Sequence, residues 1–308
     1  MKPLVIVPVV VAVVLTLFAW PQAKSGPRDV PLGVAGAPAM ERQLSAQGGK
    51  FELHRYTDEA AARRAIEDRD VYAAFVGTPG GMKLLTASAA SPAIFQMLTH
   101  AASESGKPVE IEDVVPTTHA GGALASSVMP MVIAGSLTGM LALFMAAGAW
   151  RRIGLLLGAA TGAGLVAATI IQSWLGVVEG DWVTNAGVFS LAVLAIAATV
   201  CGLGSLFGKF GAIAGAITMV FVGNPFSAVA AGPEMLPSPA GVIGQLMPPG
   251  AAGNLLRSTG FFDGAGASGH LAVLVAWAVA GLACVAVAAL PRVRAHVGAR
   301  LQHVPAAA

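Results

Sequence analysis

Charge is what this sequence lacks. Of its 308 residues 11% are Asp, Glu, Lys or Arg, against roughly 25% in a soluble domain. With 56% hydrophobic residues and a mean hydropathy of +0.73, the chain cannot cover a surface that faces only water. That excludes a wholly soluble globular protein, and for most of the chain it excludes disorder. A formal charge of +2 gives no electrostatic footprint for nucleic acid. Cysteine is nearly absent as well. Cys201 and Cys284 both lie inside apolar runs, so they read as small buried hydrophobes and not as staples. Catalytic signatures are missing too: there is no Gly-x-Ser-x-Gly, no His-Glu-x-x-His and no paired cysteines. His54, His100 and His119 lack metal-ligand spacing and read as surface or packing histidines. The run from Gly202 to Lys209 has glycines at the wrong spacing for a phosphate loop, and Phe210 stands where Ser or Thr is required. The sequence therefore offers no catalytic residue, no cofactor and no metal ligand.

What the chain does have is long apolar runs. A membrane-spanning helix needs about 20 mostly apolar residues. Six windows qualify: 4–20, 127–149, 153–178, 183–207, 210–229 and 270–290, all free of Asp, Glu, Lys and Arg. The expectation is an α-helical polytopic membrane protein of six transmembrane helices, with an extracytoplasmic α/β domain inserted between helices 1 and 2. Its parts are a 1–25 anchor, the 26–120 domain, and a 121–308 membrane domain ending in a short basic tail. Lys and Arg near helix ends set orientation. With the N-terminus inside, Lys2, Arg151, Arg152, Lys209, Arg292, Arg294 and Arg300 are cytoplasmic, and every acidic residue is outside. Both termini are then cytoplasmic and residues 26–120 extracytoplasmic, in a cell membrane. The first window is longer than the apolar core of a signal peptide and no Ala-x-Ala site follows it, so it reads as an uncleaved anchor.

Residues 26–120 alternate between strand and helix patterns. Strands are expected at 30–35, 51–56, 71–76, 82–87 and 109–115, and helices at 38–47, 58–69 and 91–105. Residues 78–81 turn the third strand into the fourth. Such alternation predicts a sheet covered by helices. Nine basic against twelve acidic side chains leave this domain at −3, and it reads as a binding or docking module.

Three features mark the membrane part. Small residues recur every four positions at Gly135/Gly139, Gly154/Gly158/Gly162 and Gly211/Gly215, which permits close helix packing or a dimer seam. No carboxylate lies at membrane depth, which argues against coupling to a proton or sodium gradient. Residues 230–269 are too broken by Pro and Gly to span, yet too apolar for a surface loop. Pieces near 242–247 and 251–256 read as short helices of a re-entrant or interfacial element that shapes the outer exit.

One helix, an outer α/β domain and five further helices resemble the ABC-2 type permease superfamily, in particular its YhgE/Pip-like branch. Residues 58–75, DEAAARRAIEDRDVYAAF, resemble the outer helix–strand segment of that family. Asn224-Pro225-Phe226, followed by residues 246–251, LMPPGA, resemble its segment before the last helix. The resemblance implies a permease subunit that forms a homo- or heterodimer in membrane lipid and works with a separate cytoplasmic ATPase to export a substrate. Two features depart from that pattern. Only three residues precede the first window, and the loop where such permeases touch their ATPase is reduced to 150–152. The expected sites are Arg151 and Arg152 for ATPase contact, and Asn224, Pro225, Phe226, Pro248, Pro249 and Gly250 for an outer gate. The alternative is a non-transporting receptor, scaffold or envelope-assembly factor that acts through its outer domain.

Overall fold

The computed structural model describes residues 2–104, 108–118 and 120–290. His119 and the tail carrying Arg292, Arg294 and Arg300 lie outside the described residues. The chain opens with helix α1 (Lys2–Ala23) and enters an α/β module. Its elements are β1 (Val30–Ala35), α2 (Pro38–Ser45), β2 (Phe51–Arg55), α3 (Glu59–Glu67), β3 (Ala73–Thr78), β4 (Gly81–Thr86), α4 (Pro92–Glu104) and β5 (Val109–Asp113). Every strand and helix read from the pattern in this module is present, β1 with the expected bounds and the others with ends moved by one or two residues. The strand expected at 71–76 moves most, because Val71 and Tyr72 remain in the connection and pairing with β4 carries β3 on to Thr78.

The five strands lie in the order β2-β1-β3-β4-β5, all neighbours parallel except the β3–β4 hairpin. β1 is apolar along its length because it is central, with Leu32 between Leu53 of β2 and Ala73 of β3. On one face Leu32, Phe75 and Leu84 pack with Leu44 of α2 and Ile94 and Leu98 of α4. On the other, Ala74, Val76 and Leu85 meet Ala62, Ala65 and Ile66 of α3, and also Phe262, a residue nearly two hundred positions onward. α3 starts where Asp58 accepts a hydrogen bond from the Ala61 backbone N–H at 2.8 Å.

The remaining helices are α5 (Leu124–Met145), α6 (Ala149–Ala168), α7 (Trp182–Thr218), α8 (Asn224–Phe226), α9 (Ala240–Gln245), α10 (Pro248–Phe261) and α11 (Ala267–Val287). π-helical turns extend α6 through Thr169–Trp174 and join α7 to α8 through Met219–Gly223. Among the described residues four helical stretches are long and apolar enough to cross a membrane: Gly121–Met145, Ala149–Trp174, Trp182–Phe226 and Ala267–Val287. The described apolar part of α1, Val7–Ala23, is shorter.

Windows 183–207 and 210–229 fall on one 45-residue stretch. It breaks at Gly208, whose φ of 68° is left-handed. The chain then returns along itself: a Cβ on Gly215 would stand 3.2 Å from Leu203 and 3.3 Å from Val200. α7 is the central helix, packed against α5, α6 and α11, with Phe189 fully buried in its core. Exposed apolar side chains coat the outside of the bundle. On α6 and its extension, Trp150 is 85% exposed and Trp174 is 77% exposed. At 1.5 Å per residue they stand about 36 Å apart, the spacing of the two aromatic belts of a bilayer.

Candidate functional site

The segment between the last two long helices folds into the bundle. Pro248 and Pro249 start α10 where a missing N–H costs nothing, and Gly250, Ala251, Ala252 and Gly253 keep its first turns thin. Nearly all of α10 is buried, against α5, α7 and α11. α9 packs on α8 and on α10. The closest approach is at Gly244, where any Cβ would land on the Phe226 carbonyl. A Cβ on Gly223 would stand 2.9 Å from Pro249. The structure thus brings Phe226, Pro248, Pro249 and Gly250 together, with Asn224 and Pro225 half-buried beside them.

α10 carries polar side chains into this buried position. Asn254 is 4% exposed, Arg257 3% and Ser258 0%. Arg257 donates to the carbonyls of Ala89 at 2.9 Å and Val229 at 2.6 Å, and to Asn254 Oδ1 at 3.0 Å. Arg69 reaches across from the α/β module. It donates to the Asn254 carbonyl and to Asn254 Oδ1, both at 3.1 Å, and to Ser258 Oγ. Its guanidinium also lies over the Phe262 ring, 5.3 Å from the centroid. Asn254 passes the network on, donating to Gln245 Oε1 at 2.6 Å, and Gln245 donates to the Ser227 carbonyl at 2.9 Å. Arg69 leaves the end of α3 with a φ of 65°, a strained choice for a residue with a side chain. That turn is what aims it at α10.

A second polar strut runs beside the first. The Tyr72 hydroxyl donates to Glu234 Oε2 at 2.7 Å, and the backbone N–H groups of Gly26 and Arg28 donate to the carbonyls of Met235 and Glu234 at 2.9 and 3.0 Å. Burial, with the Glu234 carboxylate beside it, pushes the Tyr72 phenol well above its ordinary range, so it stays a neutral donor. Burial pulls the Arg69 guanidinium below its ordinary value, partly offset by Tyr72 and Glu234. Between the two struts lies a cavity of about 240 Å³ bounded by Arg69, Tyr72, Glu234, Gln245, Asn254 and His270.

Arg151 and Arg152 are not in a loop. Gly148, with a φ of 84°, makes the turn after α5, and both arginines sit in the first turns of α6. Arg152 folds back to cap the end of α5, donating to the carbonyls of Leu143 and Ala146 at 3.1 Å each and to Ser205 Oγ at 2.9 Å. Arg151 is exposed. His54 is half-exposed and His100 exposed, and Cys201 and Cys284 are unpaired. Among the described residues no cluster of His, Cys, Asp and Glu has the makings of a metal site.

Sequence reasoning singled out the residues of α8 and of the start of α10, expected there as an outer gate, but missed the Arg69–Asn254–Arg257 network. One signal was available: Arg257 is the only charged residue between Glu234 and Asp263, and a charge in so apolar a stretch has to find partners. Comparison with protein-family models, with curated proteins and with solved structures finds no match to this chain.

Proposed function

We propose that this chain is the membrane-spanning permease subunit of an ABC-type exporter of the ABC-2 kind, energised by a separate cytoplasmic ATPase. In this reading α1 and the two arms of the fold at Gly208 join α5, α6 and α11 as six spans. Both termini are cytoplasmic and residues 26–120 stand outside as an insert between the first and second spans. The observation that carries the proposal is α10, a short helix entered through Pro248-Pro249, buried among long apolar helices and lined with Asn254, Arg257 and Ser258. Interrupted backbone inside a membrane bundle is sustained where protein buries it or where it borders a pathway. The long apolar helices contain no Asp or Glu, so a gradient-coupling carboxylate is missing there and the energy is assigned to a partner.

The test is affinity purification of the tagged chain from its native membrane after mild crosslinking, with mass spectrometry of what accompanies it. A P-loop ATPase in near-equal amount is the expected result. A second reading, a receptor or scaffold that acts through the α/β module, draws on one observation: Arg152 is spent within the chain, which shrinks the inner contact surface. Recovery of envelope proteins bound through the module, with no ATPase, would favour that reading.

A further inference from the structure

The junction between the α/β module and α10 holds an excess of positive charge. Arg69 and Arg257 both direct a guanidinium nitrogen at one neutral oxygen, Asn254 Oδ1, at 3.1 and 3.0 Å. Among the described residues neither has a carboxylate within ion-pair distance. Two like charges thus converge on one buried amide oxygen, and the nearest counter-charge, Glu234, stands across the cavity beyond ion-pair distance. Proteins keep such an arrangement where an anion completes it, and the planar guanidinium fork suits a phosphate or carboxylate.

Glu234 adds a second requirement. It lines the same cavity, its Oε2 is held by Tyr72, and it forms no ion pair with Arg69. A bare anion would meet a carboxylate on the far wall. A ligand with an oxyanion at one end and an N–H or O–H donor at the other satisfies both walls, with Gln245 and Asn254 between them. The cavity, about 240 Å³, is below the roughly 300–1,000 Å³ of sites that enclose a drug-sized molecule. It takes a head group and not a whole amphiphile. α9 supplies the rest: Gln245 faces the cavity while Val242 and Ile243 on the same short helix, and Leu246 just after it, are 66%, 38% and 59% exposed, an apolar flank beside the polar mouth.

We propose that this cavity binds a phosphate ester bearing an ammonium or hydroxyl donor, with the phosphate on Arg69 and the donor on Glu234. That chemistry comes from a phospholipid head group of the ethanolamine type or from a free phosphate ester. The site does not depend on the export reading, since a receptor would use the same cavity, and its test involves no ATPase.

The full chain is purified in detergent and stripped of lipid. Thermal unfolding is followed by tryptophan fluorescence while O-phosphoethanolamine, inorganic phosphate or dihexanoyl phosphatidylethanolamine is titrated, with sodium chloride holding ionic strength constant. Saturation is expected to raise the midpoint by several degrees, as for any ligand that binds only the folded state, and phosphoethanolamine is expected to bind more tightly than phosphate. Arg69→Lys keeps the charge but loses the fork, and is expected to weaken binding at least tenfold. Glu234→Gln is expected to bind inorganic phosphate at least as well as the wild type and to lose the preference for phosphoethanolamine, an effect that mere loss of a strut would not produce. A midpoint raised only by dihexanoyl phosphatidylethanolamine assigns the site to lipid, and one raised equally by phosphoethanolamine assigns it to free esters. Wild-type protein that responds to none of the three beyond chloride overturns the proposal, whatever the variants do.

Discussion

Two adjacent arginines show how far a residue's type is from its role. Arg151 and Arg152 are indistinguishable in sequence, yet one is exposed and the other caps the end of α5. Arg152→Glu is therefore expected to destabilise the α5–α6 turn by about 1–3 kcal/mol through unpaired carbonyls, lowering the unfolding midpoint of the purified chain. Arg151→Glu is expected to leave that midpoint unchanged and, under the permease reading, to weaken co-purification of the proposed ATPase. Equal loss of stability in both would contradict the assignment.

In the module, Lys83 bridges Glu59 at 2.9 Å and Glu112 at 2.8 Å, while Arg63 pairs with Glu112 at 2.7 Å. The hydrogen bonds from Arg63 and Lys83 hold the Glu112 carboxyl down to about 2, and Lys83 holds Glu59 below its ordinary value. A depressed carboxylate contributes stability above its unfolded pKa and loses it as the pH falls through the folded one. The midpoint is accordingly expected to hold down to about pH 5 and to drop between there and about 2. In Glu112→Gln that acid drop is shallower, which a pH series of thermal unfolding would read.

At the scale of elements, α9 and α10 depend on close backbone approach. Gly244→Ala puts a methyl on the Phe226 carbonyl, and overpacking of that kind costs about 1–3 kcal/mol. It is expected to separate α9 from α8, seen as faster labelling of a cysteine placed at Ser227, which is buried in the wild type. The module was legible because each strand and helix has its own local signal: alternation in Phe51–Arg55, the Asp58 cap, the Pro79-Gly80 turn between β3 and β4. Long apolar runs marked the four long apolar helical stretches for the same reason, though not that two of the six windows fall on one stretch. Less could be read from contacts made across the chain. Arg69 closes a helix in sequence and only the fold brings it to Asn254, and nothing local in residues 150–152 distinguishes a loop from the start of α6. Broken sequence at 230–269 suggested a re-entrant or interfacial element, but not how completely the neighbouring helices bury α10.

Among the described residues α6 presents an open face of small residues. A Cβ on Gly135 or Gly139 would strike α7, whereas Gly154, Gly158 and Gly162 have nothing within 4 Å. Under the dimeric permease reading that face of α6 is the seam, and Gly158→Leu is expected to reduce crosslinked dimer in membranes without lowering the monomer's unfolding midpoint. The proposed topology has its own check, in a background lacking Cys201 and Cys284. A membrane-impermeant maleimide is expected to label Ser103→Cys in intact cells and Arg151→Cys only after permeabilisation. The reverse pattern would invert the molecule.

The struts that join module to bundle also set an order of assembly. Arg69 and its partner Asn254 are separated by 185 positions, and Tyr72 and Glu234 by 162. At roughly 5–20 residues per second a ribosome needs about 10–40 s to make the intervening chain. All five strands of the sheet are synthesised well before α10, so Arg69 and the face that receives Phe262 have no partner until α10 is made. Docking is then a late step of biogenesis, and a chain truncated before α10 lacks every partner of that contact face.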